Sequence, residues 1–357
     1  MPRPINATIN LGALRRNHAV ARHHAGNARI WSVIKADAYG HGVVRVASAL
    51  AKITDGFALL DLEDAVTLRD HGLRNPILML EGFFSEDDLK AMSEYSLTSI
   101  VHSGEQLEML RGCPLPFRLN VYLKLNTGMN RLGFRPEAFP AVVAGLRSLP
   151  HVGEVTLMTH FANADGERGI AISFTAFEHL RRGARLPVSL SNSAALLRFP
   201  EARGDWVRPG IMLYGCSPYP QRKTAKESGL EPVMTLSSEV IAVQELQPGE
   251  RVGYGGLFRA SAPIRVGVVA CGYADGYPRH AATGTPILVD GRRTCTLGAV
   301  SMDMLAVDLN AVPGAGVGSR VVLWGDALSA DEVASSAGTI SYELLCALAK
   351  RVPVKET

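Results

Sequence analysis

The sequence predicts an α/β protein: a (β/α)8 TIM barrel followed by a smaller, mostly β C-terminal domain. Three observations carry this. Eight short runs rich in β-branched and apolar residues recur, at 29–35, 56–62, 76–82, 98–103, 117–126, 154–161, 187–193 and 206–215. Between them, stretches such as 63–71 and 105–111 place apolar residues at helical spacing. The runs are apolar almost throughout rather than alternating, so each strand is expected to be buried on both faces, as in a parallel sheet covered by helices. Eight such units over about 220 residues is the arithmetic of a closed barrel. An open doubly wound sheet uses the same units, but no GxGxxG turn follows the first run, RIWSVIK, so nothing supports a dinucleotide fold.

The chain turns polar at 219–231 (YPQRKTAKESGLE), which reads as a linker and divides it into a barrel domain, 1–228, and a second domain, 229–357. A length of 357 residues suits two domains. Past the linker, short strands at 233–243, 264–270, 286–289, 305–308 and 320–323 are closely punctuated by Gly, Pro and Asp. QPGE and VDGRR read as tight turns, and two short helices are expected near 330–336 and 342–349.

Composition excludes several functional classes. Hydrophobic residues make up 47% and charged residues 20%, which is enough apolar material for a sizeable core and excludes a disordered chain. The net charge, 37 − 34 = +3, is too small for a nucleic-acid surface. Without an apolar run of about 18 residues, no membrane span is expected. The opening MPRPINATINLG lacks the apolar core of a secretory signal. Cys113, Cys216, Cys271, Cys295 and Cys346 are scattered with no CxxC pair, which reads as free thiols in a reducing, cytoplasmic setting. No metal site is expected.

In a barrel, function gathers where the strands end. The first run closes on Lys35, and the fifth leads into Lys124 and then Arg131. The sixth closes on His160 and the seventh on Asn192 and Ser193; the eighth carries Arg208, Gly210 and Ile211. A lysine at the mouth suits Schiff-base chemistry. A serine hydroxyl with the amides of Gly210 and Ile211 could cradle a phosphate after strands seven and eight. An amine for an aldehyde and a cradle for a phosphate together suggest pyridoxal phosphate. Singly, each residue has an ordinary reading: a solvated lysine, a hydrogen-bonded core histidine, an ion-paired arginine. Ser193 would also serve as a helix N-cap, and Tyr254 as a loop aromatic. Only the joint placement points to a cofactor.

The segment VIKADAYGHG, residues 33–42, closely resembles the cofactor-lysine signature of alanine racemases. The resemblance continues in order through KLNTGMNRLG, THFANAD, SNSAA, RPGIMLYG, VGYGG, GYADGYPR, VSMDM and ISYE, as far as residue 343. It implies a pyridoxal-phosphate barrel with a β domain, working as a head-to-tail homodimer on alanine. Carried over by motif, Lys35 would hold the cofactor. Tyr39, Ser193, Gly210, Ile211 and Tyr342 would surround its phosphate, and Arg208 would face the ring nitrogen with His160 beside it. Tyr254 and Met302 would reach in from the partner subunit. Arg131 and the Met302 amide would hold the substrate carboxylate. Lys124 matches a lysine that is often carbamylated in the family, and Asp165, Tyr273, Arg279 and Ile340 would line the entrance.

The implied reaction joins L- and D-alanine, for peptidoglycan supply or alanine catabolism. Racemisation needs one acid/base group on each face of the reacting carbon, and Lys35 with Tyr254 would be that pair. Two departures from the pattern stand out: Asn126 where many relatives carry aspartate, and Ala299 where many carry arginine. Both fall near the expected substrate path, and neither removes a catalytic group. Competing readings keep the barrel: a broader-specificity racemase, a decarboxylase, or a non-catalytic pyridoxal-phosphate protein. Decarboxylases of this fold carry a carboxylate where Arg208 stands. Broader racemases are typically exported, and non-catalytic carriers lack both the second domain and the opposing tyrosine.

Overall fold

A short strand, β1 (Asn6–Ile9), and a helix, Leu11–Ala25, precede the barrel. The structure is a computed structural model and describes residues 3–357. The barrel strands are β2 (Arg29–Val33), β3 (Gly56–Leu59), β4 (Ile77–Met79), β5 (Thr98–Val101), β6 (Leu119–Lys124), β7 (Val152–Met158), β8 (Val188–Asn192) and β9 (Trp206–Arg208). They pair in that order, all parallel, and β2 closes on β9 through Arg29 opposite Trp206 and Ile30 opposite Val207. Each of the eight expected runs holds one strand.

The helices between them follow the expected spacing. Helix Val43–Leu50 buries Val43, Val46, Ala47 and Leu50, an i, i+3, i+4, i+7 stripe. Helix Glu86–Glu94 starts at a reciprocal cap, with Asp88 N–H donating to Ser85 Oγ and Ser85 N–H to Asp88 Oδ2, at 3.1 and 3.0 Å.

Aromatic residues fill the barrel below its mouth. Trp31 on β2 donates its indole N–H to Tyr122 Oη on β6 at 2.9 Å. Those strands lie opposite one another in the ring, so the bond crosses the lumen. Trp31 also stacks on Trp206, with ring centroids 4.2 Å apart. This is a packed core, as expected of eight strands.

The second part of the chain is mostly sheet and turn. Its strands are β10 (Met234–Leu246), β11 (Arg251–Val252), β12 (Phe258–Arg259), β13 (Ile264–Val269), β14 (Pro286–Val289), β15 (Arg292–Leu297), β16 (Leu305–Asp308), β17 (Arg320–Trp324) and β18 (Val354–Glu356). The long β10 organises the sheet. Its first part pairs with β1 and β17 and its second with β13, and the order β13-β16-β15-β14-β17 runs back to β10. VDGRR is a two-residue hairpin in which Asp290 and Gly291 both take positive φ, +47° and +75°, as that turn demands. The closing helices are Ala330–Ser336 and Ser341–Cys346.

The chain forms two compact units. One compact unit contains Asn17–Ala38 and Gly42–Leu213. The other contains the described residues through Arg16, Tyr39–His41 and Tyr214–Thr357. The start of the chain joins the second unit because β1 pairs antiparallel with β10 and parallel with β18. Among the described residues, no helix is long and apolar enough to cross a membrane.

Replacing Trp31 removes a large lumen side chain and takes the indole N–H from the buried Tyr122 hydroxyl. Trp31→Ala is expected to cost about 3–5 kcal/mol of stability in urea unfolding. A loss under about 1 kcal/mol, the scale of an ordinary surface change, would contradict the packing described.

Candidate active site

The barrel's pairing runs past the end of β2. Val33 N–H donates to Pro209 O at 3.0 Å, and Ile34 N–H to Ala58 O at 2.9 Å, which pins the chain on both sides just before Lys35. Here the structure differs from the sequence expectation of a strand running to residue 35. Ala36, Asp37, Ala38 and Tyr39 all take left-handed backbone angles, with φ of +54°, +50°, +52° and +55°. Such a conformation costs an L-residue about 1–2 kcal/mol, and none of the four is glycine. Local bonds hold the turn: Ala38 N–H to Ile34 O and Gly42 N–H to Asp37 O, both 2.9 Å. Asp37 Oδ1 also accepts the Val43 N–H at 2.7 Å, tying the turn to the head of the next helix. Strain of this kind is kept where a side chain must be aimed.

Lys124 ends β6 and is buried. The following loop folds back on it, with Asn126 N–H to Phe134 O and Phe134 N–H to Lys124 O, both 2.9 Å. Asn126 Oδ1 accepts from the Gly128 and Asn130 N–H groups at 3.1 Å, and its Nδ2 donates to Asn130 Oδ1 at 3.0 Å. Arg131 therefore rides on a loop stiffened by an asparagine turn.

Arg208 ends β9 wholly inside the barrel. Its guanidinium donates to Ser189 Oγ at 2.7 Å, Thr159 O at 2.8 Å and Leu190 O at 3.2 Å, all neutral acceptors. Burial lowers its pKa to about 10, opposed by Tyr122. His160, two residues beyond β7, is lowered to about 3 by burial and by the charges of Arg208, Lys124, Arg131 and Lys35. Its Nε2 lies 3.5 Å from Asn192 Nδ2, a donor, as suits a neutral ring. Lys124 is lowered to about 8 by burial and by Arg208, Arg131 and Lys35, and Glu81 alone opposes this. The structure thus brings Lys35, Lys124, Arg131, His160 and Arg208 into one electrostatic cluster. Glu81, just past β4, was not singled out from sequence; an acid ending the third apolar run was its signal.

Ser193 is not the helix N-cap. Asn192 is, its Oδ1 accepting the Ala195 N–H at 2.9 Å. That leaves Ser193 Oγ to accept from Gly210 N–H at 2.9 Å and to approach Met212 N–H at 3.5 Å. The buried Ser193 hydroxyl thus lies against the amides of Gly210 and Met212, at the start of the 3-10 turn Ile211–Tyr214 that follows β9. Asp165 is exposed on the loop after β7.

The remaining expected residues belong to the second unit. Tyr39 stacks on Tyr214 at 4.6 Å and lies 6.1 Å from Tyr342 between ring centroids; burial pushes its phenol upward in pKa. Tyr254 sits at the tip of the β11–β12 hairpin and is 71% exposed, and Met302 is 53% exposed. Tyr273, Arg279 and Ile340 are exposed as well.

The His160 environment has a direct consequence. Its ring is expected to show no titration by NMR between about pH 5 and 9; a midpoint near the ordinary 6.5 would contradict the cluster. Because its folded pKa lies below the unfolded value, its share of stability is present above that value. It is lost as pH falls, when the unfolded chain takes up a proton the native ring refuses.

The family model described as "Alanine racemase, N-terminal domain" matches residues 9–218, and "Alanine racemase, C-terminal domain" matches 233–356. An alanine racemase from Erwinia tasmaniensis is 56% identical over 355 residues, 99% of each chain. A protein named "Alanine racemase, catabolic" from Salmonella typhimurium is 56% identical over 357 residues, the whole of both chains. The solved biosynthetic alanine racemase from Pseudomonas aeruginosa superposes with a TM-score of 0.96 at 46% identity over 99% of each chain. Full-length identity and superposition, with both family models matched in order, place this chain in the alanine racemase family.

Proposed function

We propose that the chain interconverts L- and D-alanine with pyridoxal phosphate held at the barrel mouth, by a two-base mechanism. The observation that carries this is the cluster of Lys35, Lys124, Arg131, His160 and Arg208, in which the carboxylate of Glu81 opposes the lowering of Lys124. Like charges gathered in a partly dry site repel, so the cluster suits anionic ligands. The donor set fits this cofactor: an amine at Lys35 for an aldehyde, and the Ser193 hydroxyl with the Gly210 and Ile211 amides for a phosphate. When bound, the cofactor supplies an aldehyde that condenses with amines and a conjugated ring that acidifies the α-proton of an amino acid.

The chain's own residues do the rest. Arg208 would face the ring nitrogen and donate to it while keeping its own proton, since its neutral partners offer no base to take it. Arg131, on its stiffened loop, holds the substrate carboxylate. Lys35 removes or returns the proton on one face of the α-carbon, serving D-alanine. The opposite face needs a second base, assigned to Tyr254 of the partner subunit for L-alanine. Exposure of Tyr254 and Met302, with Leu257 and Met304 nearby in sequence, supports a surface that meets a second copy in a head-to-tail dimer.

The test is NMR of the protein with pyridoxal phosphate and L-alanine in D2O, with chiral analysis of the product. D-alanine carrying deuterium at the α-carbon is expected. Tyr254→Phe should slow racemisation about 10²–10⁴-fold, the usual contribution of a general acid/base. It should still let D-alanine, but not L-alanine, exchange its α-proton. Undiminished racemisation by Tyr254→Phe would overturn the two-base assignment.

A further inference from the structure

Behind the Met302 loop lies a charge clasp that the racemisation scheme does not use. Asp275 closes the short turn Tyr273–Asp275, and its side chain is wholly buried. Arg3 grips it with both arms, Nη1 to Oδ1 at 2.8 Å and Nη2 to Oδ2 at 3.1 Å. Arg351 adds Nε to Oδ1 at 2.7 Å, and the Gly272 N–H donates to Oδ2 at 3.0 Å. Burial alone would raise the pKa of this carboxyl, but the two guanidiniums and the N–H outweigh it and hold it below its ordinary value.

Both arginines also reach the neighbouring loop. Arg3 Nη2 donates to Asp303 O at 2.7 Å, and Arg351 Nη2 to Asp303 Oδ1 at 2.6 Å. The two loops are joined through backbone as well. Tyr273 N–H donates to Ser301 O at 3.1 Å, and Ala274 N–H to Met302 O at 2.9 Å. Contact is so close that a Cβ on Gly272 would fall 2.3 Å from Ser301 O and 2.4 Å from Met302 O. Exposed ion pairs are usually worth little, but a buried carboxylate shared by two guanidiniums is a different case.

We propose that Arg351 and Arg3 are positioning residues for the substrate. By clasping Asp275 and Asp303 from opposite ends of the chain, they lock together the loops that present Met302 and Tyr273. The substrate half of this rests on the reading of Met302 as a carboxylate ligand; the clasp itself does not. A loosened clasp weakens capture of alanine while every catalytic group stays in place. Arg351 is the informative position, because Arg3 and Gly272 remain on Asp275 when it is removed.

The experiment compares wild type, Arg351→Ala, Arg351→Lys and Arg3→Ala as cofactor-loaded enzymes, by amide hydrogen exchange and by steady-state kinetics with L-alanine. In Arg351→Ala, the Tyr273 and Ala274 amides are expected to exchange about tenfold faster or more, with barrel amides unchanged. KM should rise about three- to tenfold with kcat changed less than about twofold, the pattern of lost binding rather than lost chemistry. Arg351→Lys keeps the charge but cannot span both aspartates, so it should fall between the two. Arg3→Ala should follow Arg351→Ala. Wild-type exchange at Tyr273 and Ala274 in both alanine variants would overturn the clasp. Faster exchange with unchanged KM would overturn its role toward substrate. A wild-type enzyme that racemises no alanine would overturn that same half together with the racemase reading, while exchange would still decide the clasp.

Discussion

A guanidinium buried in a barrel and met only by neutral acceptors is the constraint on which the mouth of this molecule depends. Arg208 is held by a hydroxyl and two carbonyls, and its charge adds to burial in lowering His160 and Lys124. His160 is kept neutral and Lys124 is lowered, with Glu81 opposing the shift of Lys124. Two like charges 4 Å apart at an effective dielectric of 20 repel by about 4 kcal/mol. A site assembled this way is at its best with anions in it. The phosphate of a cofactor and the carboxylate of an amino acid are both anions.

The barrel makes that crowding tolerable by fixing each group through backbone. Lys35 is delivered by a left-handed turn of four non-glycine residues, a conformation the chain would not take alone. It is sustained because the strand before it is pinned to both neighbours and because Asp37 bridges to the next helix. Lys124 begins, and Arg131 rides on, one loop that Phe134 closes back onto the end of β6. Ser193 is free to face the Gly210 amide because Asn192 takes over the capping role. In each case a residue of no catalytic chemistry holds a reactive one in place.

Much of this was legible in the sequence. Eight near-continuous apolar runs gave the parallel barrel its order, and the strands Pro286–Val289 and Leu305–Asp308 lie where the turn residues bounded them. The motifs led to the clustered basic residues because reactive side chains ended consecutive runs. What escaped was whatever depends on distant partners. β1 and β18 are four and three residues long, too short to show a period, and exist through pairing with β10 and with each other. The left-handed turn reads in sequence as ordinary Ala-Asp-Ala-Tyr. The clasp joins Arg3, Asp275 and Arg351, residues 272 and 76 positions apart, which no local pattern connects.

The most direct test of the account is to reduce the pyridoxal-phosphate-loaded protein with borohydride and map the pyridoxyl group by peptide mass spectrometry. The expected result is one modified site, Lys35, with no label on the buried Lys124. Label absent from Lys35, or spread over surface lysines with Lys35 unmodified, would contradict the central claim that the strained turn after β2 presents the cofactor's amine.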